Sequence, residues 1–252
     1  MTLSADVRQS VIDSLIKICS PDSRFHFDLS MFIADFEGSY SAANYLDEIP
    51  EYTSASTIFI TPDNSLFNVR RKAFLDAKKV VVSTYGIGRG FYVVDPSIVK
   101  SENVDFLSTL DGLEHFADVC SLKELMEQVD SFDTMITGAL LVDGDGVRHG
   151  KGHGYFDMEC AMFIEAGLIN SDTKIASVIH DVQYYNGSLP SKPTDVCVDY
   201  ILTNSSFIEL KNRRKKCGID WSLVTSEMFL KIPVLHELKL RAYLKTDAMH
   251  RE

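Results

Sequence analysis

Five short runs of β-branched and apolar residues recur along the chain, and each stops at a turn residue or a polar cap. "ASTIFITP" at 55–62 halts at Pro62, and "VVVSTYG" at 80–86 closes on Gly86. "TMITGALLVDGDG" at 134–146 ends in a Gly-Asp-Gly turn. "KIASVIHD" at 174–181 and "VDYILTN" at 198–204 complete the set. Runs of this length, bounded in this way, are strands. Between them "NVRRKAFLDAKK" at 68–79 has a helical rhythm, and "MECAMFIEAGLI" at 158–169 has the composition of a buried helix. Strands separated by helices demand crossover connections, hence a mainly parallel sheet with helices on both faces. The expected fold is therefore a three-layer α/β/α, Rossmann-like arrangement. The 252 residues suit one such α/β domain spanning 1–252, with a helical extension over about 210–252.

Composition narrows the function classes. No run approaches the ~18 apolar residues of a membrane span. The first 20 residues carry Asp6, Arg8 and Asp13 among apolar residues at helical spacing, which reads as an amphipathic helix of a cytoplasmic protein, not a secretory signal. A formal net charge of −11 opposes general nucleic-acid binding, which needs a concentrated basic surface. One basic run, "KNRRKK" at 211–216, is either a solvated loop or helix end or a local phosphate or nucleic-acid contact. The five cysteines are scattered and contain no C-x-x-C pair, as in reduced thiols of a cytosol.

The chemistry concentrates in "RHGKGHGYFDME" at 148–159. Glycine removes the side chain between a backbone N–H and a bulky anion, and it accepts positive φ. Successive amides in such a turn, followed by a helix start, form an anion site. Lys151 adds a point charge, and Asp157 an oxygen ligand for Mg²⁺. The spacing matches neither the P-loop nor the dinucleotide fingerprint, so a hairpin or packing turn stays open as the alternative. Ligands bind beyond the carboxyl ends of parallel strands. The glycine stretch, "TPDNSLFNVRR" at 61–71, His180–Asp181 and the loop after Thr203 should converge there.

"GKGHGYFDMECAMF" resembles the glycine-rich signature of the 5-formyltetrahydrofolate cyclo-ligase family, and above all its divergent methenyltetrahydrofolate synthetase domain-containing branch. "DFEGSYSAANYLDEIPEY" at 35–52, "TPDNSLFNVRRKAFLDAKK" at 61–79, "VIHDVQ" at 178–183 and "VDYILTNSSFIE" at 198–209 resemble that branch in the same order. The similarity runs from about Arg8 to Leu235. It implies the fold shared with CoA transferases and ribose-5-phosphate isomerase. It also implies an ATP- and Mg²⁺-dependent reaction on 5-formyltetrahydrofolate or a similar small molecule. By the same resemblance, Gly150, Lys151, Gly152, His153, Gly154, Tyr155 and Asp157 would hold the nucleotide, joined more loosely by Arg70. Lys151 and Tyr155 would be catalytic, and Asp157 and Asp199 would face the metal.

Two departures from the family pattern set further expectations. Met158 stands where arginine usually follows the aspartate, so turnover should be slow or absent and Met158→Arg should raise it. "STYGIGRGFYVVDP" at 83–96 replaces the folate-side segment, offering Arg89 and the pair Phe91–Tyr92 as stacking platform or core. A catalytically reduced nucleotide- or folate-binding protein is the alternative function. Asp199 is either a buried structural carboxylate or a ligand contact. His180–Asp181 is a polar strand cap or an acid–base pair. Glu159 and Glu165 are expected on the exposed side of their helix.

Overall fold

The computed structural model describes residues 4–22, 24–211 and 217–249, with no side-chain description beyond 244. The basic run at 211–216 therefore lies, Lys211 apart, outside the described residues. The strands are β1 (Thr57–Ile60), β2 (Lys79–Ser83), β3 (Phe91–Val94), β4 (Val119–Cys120), β5 (Thr134–Gly138), β6 (Leu141–Asp143), β7 (Arg148–His149), β8 (Lys174–Val178), β9 (Tyr184–Tyr185), β10 (Tyr200–Leu202) and β11 (Phe207–Glu209). Eight form one sheet in the order β11-β10-β8-β5-β1-β2-β3-β4. The five central strands are mutually parallel, while at the edges β11 pairs antiparallel with β10, β3 with β2 and β4 with β3.

The strands' period of two explains the layers. Ile58, Ile60, Val80 and Val82 point to one face, and Phe59 and Val81 to the other. The first helix, α1 (Ala5–Leu15), starts at Ser4, whose side chain accepts from the Asp6 N–H. Five short helices cover the face of Ile58: α2 (Ser39–Asn44), α3 (Pro50–Ser54), α4 (Phe67–Leu75), α5 (Val104–Leu107) and α6 (Leu110–Phe116). The other face is covered by α7 (Leu122–Gln128), α8 (Tyr155–Ala166), α9 (Ser226–Lys231) and α10 (Pro233–Met249). There the ring of Phe163 meets Phe59, Phe132 and Phe91 with centroids 4.8, 5.0 and 5.5 Å apart. The architecture is the expected three-layer α/β/α fold with a mainly parallel sheet. Phe91 and Tyr92 are buried in it, one on each face, and Phe91 is wholly core.

One strand differs from expectation. The run 134–146 breaks at Gly138, and β6 leaves the main sheet to pair antiparallel with β7 and parallel with β9. Gly138 is where the turn after β1 comes closest: a Cβ there would lie 2.7 Å from Ser65 Oγ and 3.1 Å from Asp63 Oδ2. The Gly138 N–H donates to that same carboxylate at 3.2 Å. Helix α1 and the small sheet share a third core around Leu15, Leu141 and Val147, which seats β7 beside the sheet's carboxyl edge. No disulfide joins the five cysteines. Among the described residues, no helix is long and apolar enough to cross a membrane.

Candidate functional site

A cleft of about 360 Å³ opens where the carboxyl ends of β1 and β5 meet the loop between β7 and α8. Gly150, Lys151, Gly152, His153, Gly154, Tyr155 and Asp157 all line it. Gly152 has φ +103° and Gly154 φ +67°, conformations that side-chain-bearing residues rarely adopt. Gly154 is the N-cap of α8 and offers no side chain, so the first-turn amides of the helix are not capped by one. From α1, the Arg8 guanidinium donates to the Gly150 and Lys151 carbonyls at 3.5 and 3.0 Å, fixing the loop's course. The Lys151 ammonium stands over the Tyr85 ring, 4.9 Å from its centroid. Tyr155 leans on His153 with centroids 5.6 Å apart.

Asp157 lines the cleft while its Oδ1 accepts the Val196 N–H at 2.9 Å, which pins one carboxylate oxygen. Asp199 does not join it. The carboxylate is buried just before β10, accepts the Ile175 N–H at 2.9 Å, and lines no part of the cleft. The expectation that Asp199 faces a metal is corrected: it fastens β10 to β8 at the amino end of the sheet. Among the described residues, no group of three or more His, Cys, Asp or Glu could hold a metal ion. Asp63, Asp157, Glu159 and Asp195 are the acidic residues in the cleft lining, and Mg²⁺ commonly binds through only one or two carboxylates, with phosphates and water.

Arg70 needs a second correction. It is 1% exposed, and its guanidinium donates to the carbonyls of Ser108 (2.7 Å), Asp63 (3.0 Å) and Thr61 (3.3 Å). Burial pulls its pKa down to about 10, with Asp63 and Asp35 opposing. Arg70 therefore braces the turn 61–63 from behind and lines no part of the cleft. Asp63, in that turn, lines the cleft and accepts from Thr61 Oγ1 at 2.6 Å.

Glu159 reverses its expectation more sharply. It is 2% exposed and forms part of the cleft wall, accepting from Ser83 Oγ at the end of β2. Burial pushes its pKa up to about 8, Asp63 adds to this, and Ser83, Arg148 and Lys151 oppose it. The period of α8 explains the reversal: Glu159 shares its inward side with Phe156, Cys160 and Phe163. Glu165 is exposed, as expected.

Arg148 was not singled out in the sequence at all. Its guanidinium lies over the Phe156 ring, with Cζ 4.5 Å from the centroid, and lines the cleft beside Gly150. Its Nε is buried without a hydrogen-bond partner. Met158, by contrast, packs against the core under α8 and is not part of the cleft. An arginine two residues before a glycine run was the available signal.

His180–Asp181 and Thr203 also lie apart from the cleft lining. His180 Nδ1 accepts the Val182 N–H at 3.2 Å and its ring meets Phe36 edge-on, while burial lowers its pKa. Asp181 accepts from Ser205 Oγ at 2.7 Å. This is a polar strand cap. The four expected segments thus reach one edge of the sheet, but only two of them build the cleft.

A second cavity of about 240 Å³ adjoins the first, sharing Ile33, Pro62, Asp63, Tyr85 and Lys151 as a common wall. Rings of Phe25, Phe32, Tyr85 and Tyr92 line it. Phe25 is stacked on Phe32 and tilted on Tyr85, with centroids 5.9 and 5.5 Å apart.

Residues 6–204 match the family model described as the 5-formyltetrahydrofolate cyclo-ligase family. The chain belongs to that family. Among curated proteins it is similar to the methenyltetrahydrofolate synthase domain-containing protein of Mus musculus, 31% identical over 215 residues, covering 83% of this chain and 56% of that protein. The Homo sapiens protein of that name is 28% identical over 215 residues, with 83% and 55% covered. The chain thus spans about half the length of the curated relatives it matches. Among solved structures, the Aquifex aeolicus 5,10-methenyltetrahydrofolate synthetase aligns with a TM-score of 0.50 at 16% identity, over 86% of this chain and 97% of that one, a likeness of fold.

Proposed function

We propose that the protein is an ATP- and Mg²⁺-dependent cyclo-ligase-like enzyme, with the triphosphate in the glycine-loop cleft and a reduced folate or related ring in the aromatic cavity. The observation that carries this reading is the left-handed pair Gly152 and Gly154 leading into the uncapped start of α8, with Lys151 and Arg148 in the same cleft. Backbone amides and a helix start favour bound negative charge, and the two cations add to it. Asp157 is the residue placed to hold Mg²⁺, which when bound screens phosphate charge. Lys151 stands at the wall between the two cavities, where it can steady phosphate oxygens as they pass from donor to acceptor. Tyr155 closes the loop side. Steady-state phosphate release with 5-formyltetrahydrofolate, ATP and Mg²⁺ tests the reading: ATP-dependent formation of methenyltetrahydrofolate supports it, and nucleotide binding without turnover favours a catalytically reduced paralogue.

Two variants probe the loop. Gly152→Val is expected to weaken binding of a non-hydrolysable ATP analogue about tenfold or more, because forcing a side-chain residue into positive φ costs roughly 1–3 kcal/mol. A Cβ there meets nothing within 4 Å, so the fold should be retained. Unchanged affinity in calorimetry would remove the loop from the site. Arg148, in place of Met158, is the position proposed to stabilise phosphate charge. Arg148→Met is expected to lower turnover about 10²-fold or more, the size of losing one charge-stabilising group. Met158→Arg, at a half-buried position outside the cleft lining, should restore nothing. A turnover gain in Met158→Arg would reverse this assignment.

A further inference from the structure

We infer that Asp63 is the base that takes the proton from the acceptor nitrogen as the ring closes. The inference rests on the proposed function for where donor and acceptor lie. The position of Asp63, the way its carboxylate is held, and the proton that ring closure must shed carry it.

Among the described residues, Asp63 is the acid common to the linings of the glycine-loop cleft and the aromatic cavity, and Lys151 is the ammonium common to both. Asp157, Glu159 and Asp195 line the cleft alone, and Asp111 and Glu114 the cavity alone. The last two are paired with Arg24 and Arg89.

The Asp63 carboxylate is fixed in place. Its Oδ2 accepts from Thr61 Oγ1 at 2.6 Å and from the Gly138 N–H at 3.2 Å, which leaves Oδ1 for the cavities. Gly138 suits this approach because it is bare: a Cβ there would lie 3.1 Å from that same Oδ2. Behind the turn, the buried Arg70 guanidinium donates to the Asp63 and Thr61 carbonyls and holds the backbone as well. Lys151 and Tyr85 share the wall with Asp63, and Glu159 faces it from α8. A group held by its neighbours in this way meets a substrate at little ordering cost.

Ring closure releases a proton. The acceptor nitrogen gives its lone pair to the phosphate-activated formyl carbon and forms the new C–N bond. Its N–H proton passes to Asp63 Oδ1. The bond from that carbon to the phosphate-bearing oxygen then breaks, the electron pair leaves on inorganic phosphate, and the ring keeps the positive charge. Asp63 returns the proton to water. Lys151, an ammonium with donors and no acceptor, can steady the departing phosphate but cannot take this proton. A positioned base contributes about 10²–10⁴-fold, and a carboxylate beside the cationic ring also favours the charge that develops.

The test mixes the full chain with ATP, Mg²⁺ and 5-formyltetrahydrofolate under single-turnover conditions and follows ADP and methenyltetrahydrofolate separately. Asp63→Asn keeps a carbonyl for Thr61 and Gly138, so ADP should form at the native rate while methenyltetrahydrofolate appears about 10²-fold more slowly. The acidic limb of the native kcat/KM profile should vanish, and added formate should partly restore Asp63→Ala. Calorimetry gives a readout without turnover. Asp63→Asn should bind the cationic methenyltetrahydrofolate several-fold more weakly and bind 5-formyltetrahydrofolate as the native protein does. Ring closure at the native rate in Asp63→Asn overturns the inference. Equal slowing of ADP and methenyltetrahydrofolate, with no rescue by formate, overturns it too and marks a structural role. A native protein that binds the ATP analogue but makes no methenyltetrahydrofolate overturns the proposed reaction, and the inference falls with it.

Discussion

Replacing Glu159 by glutamine is expected to remove a loss of stability that the native protein suffers as pH rises through about 8. Burial raises this carboxyl from its ordinary value of 4.5 to about 8, so the folded protein binds a proton that the unfolded chain has released. A group with a raised folded pKa contributes stability that is fully present below the unfolded value and is lost as pH climbs through the folded one. The window is therefore about pH 4.5 to 8. At 1.36 kcal/mol per pKa unit the loss approaches roughly 5 kcal/mol as an upper figure. Native-state relaxation and water entry at the cleft would lower it. Glutamine keeps an acceptor for Ser83 and carries no charge at any pH. Urea denaturation at pH 5, 7 and 9 should show native stability falling and the mutant holding flat in this component. Parallel pH profiles would mean that Glu159 is not the group responsible.

Asp157→Asn is the second large effect, and it separates function from fold. The Oδ1 of Asp157 accepts the Val196 N–H, a contact that asparagine can reproduce with its carbonyl. Stability should change by no more than the ~0.5–1.5 kcal/mol of one hydrogen bond. The charge facing the cleft is lost completely. Under the proposed function, Mg²⁺-dependent turnover should drop by about 10²–10³-fold, with a raised Mg²⁺ requirement. A mutant that melts many degrees lower and keeps its specific activity would make Asp157 a structural residue that secures the segment around Val196.

The layers were legible because strand period and helix period leave distinct apolar patterns. The runs containing Phe59, Val81, Ile175 and Ile201 each became a strand of the main sheet. The antiparallel edges β3, β4 and β11 were not legible: each is four residues or fewer and is held by pairing across the sheet, which leaves no local signal. The break at Gly138 is likewise a long-range event, set by the approach of Asp63 and Ser65. In the cleft, the glycines and Lys151 announced themselves by local chemistry. Glu159 and Arg70 did not, since charge in a sequence reads as exposure and only the packed structure shows what neutralises it. Arg70 is satisfied by three carbonyls and Glu159 is opposed by burial, and both facts depend on segments distant in the chain. Asp199 shows the converse, a carboxylate in a family-like strand whose partner is a backbone amide.

The most direct test of the account is a crystal structure with a non-hydrolysable ATP analogue and Mg²⁺. The account predicts triphosphate density over Gly150–Gly154, with the Lys151 ammonium and the Arg148 guanidinium on phosphate oxygens and the metal beside Asp157. A nucleotide ordered elsewhere, or an empty glycine loop at a concentration where calorimetry shows saturation, would contradict it.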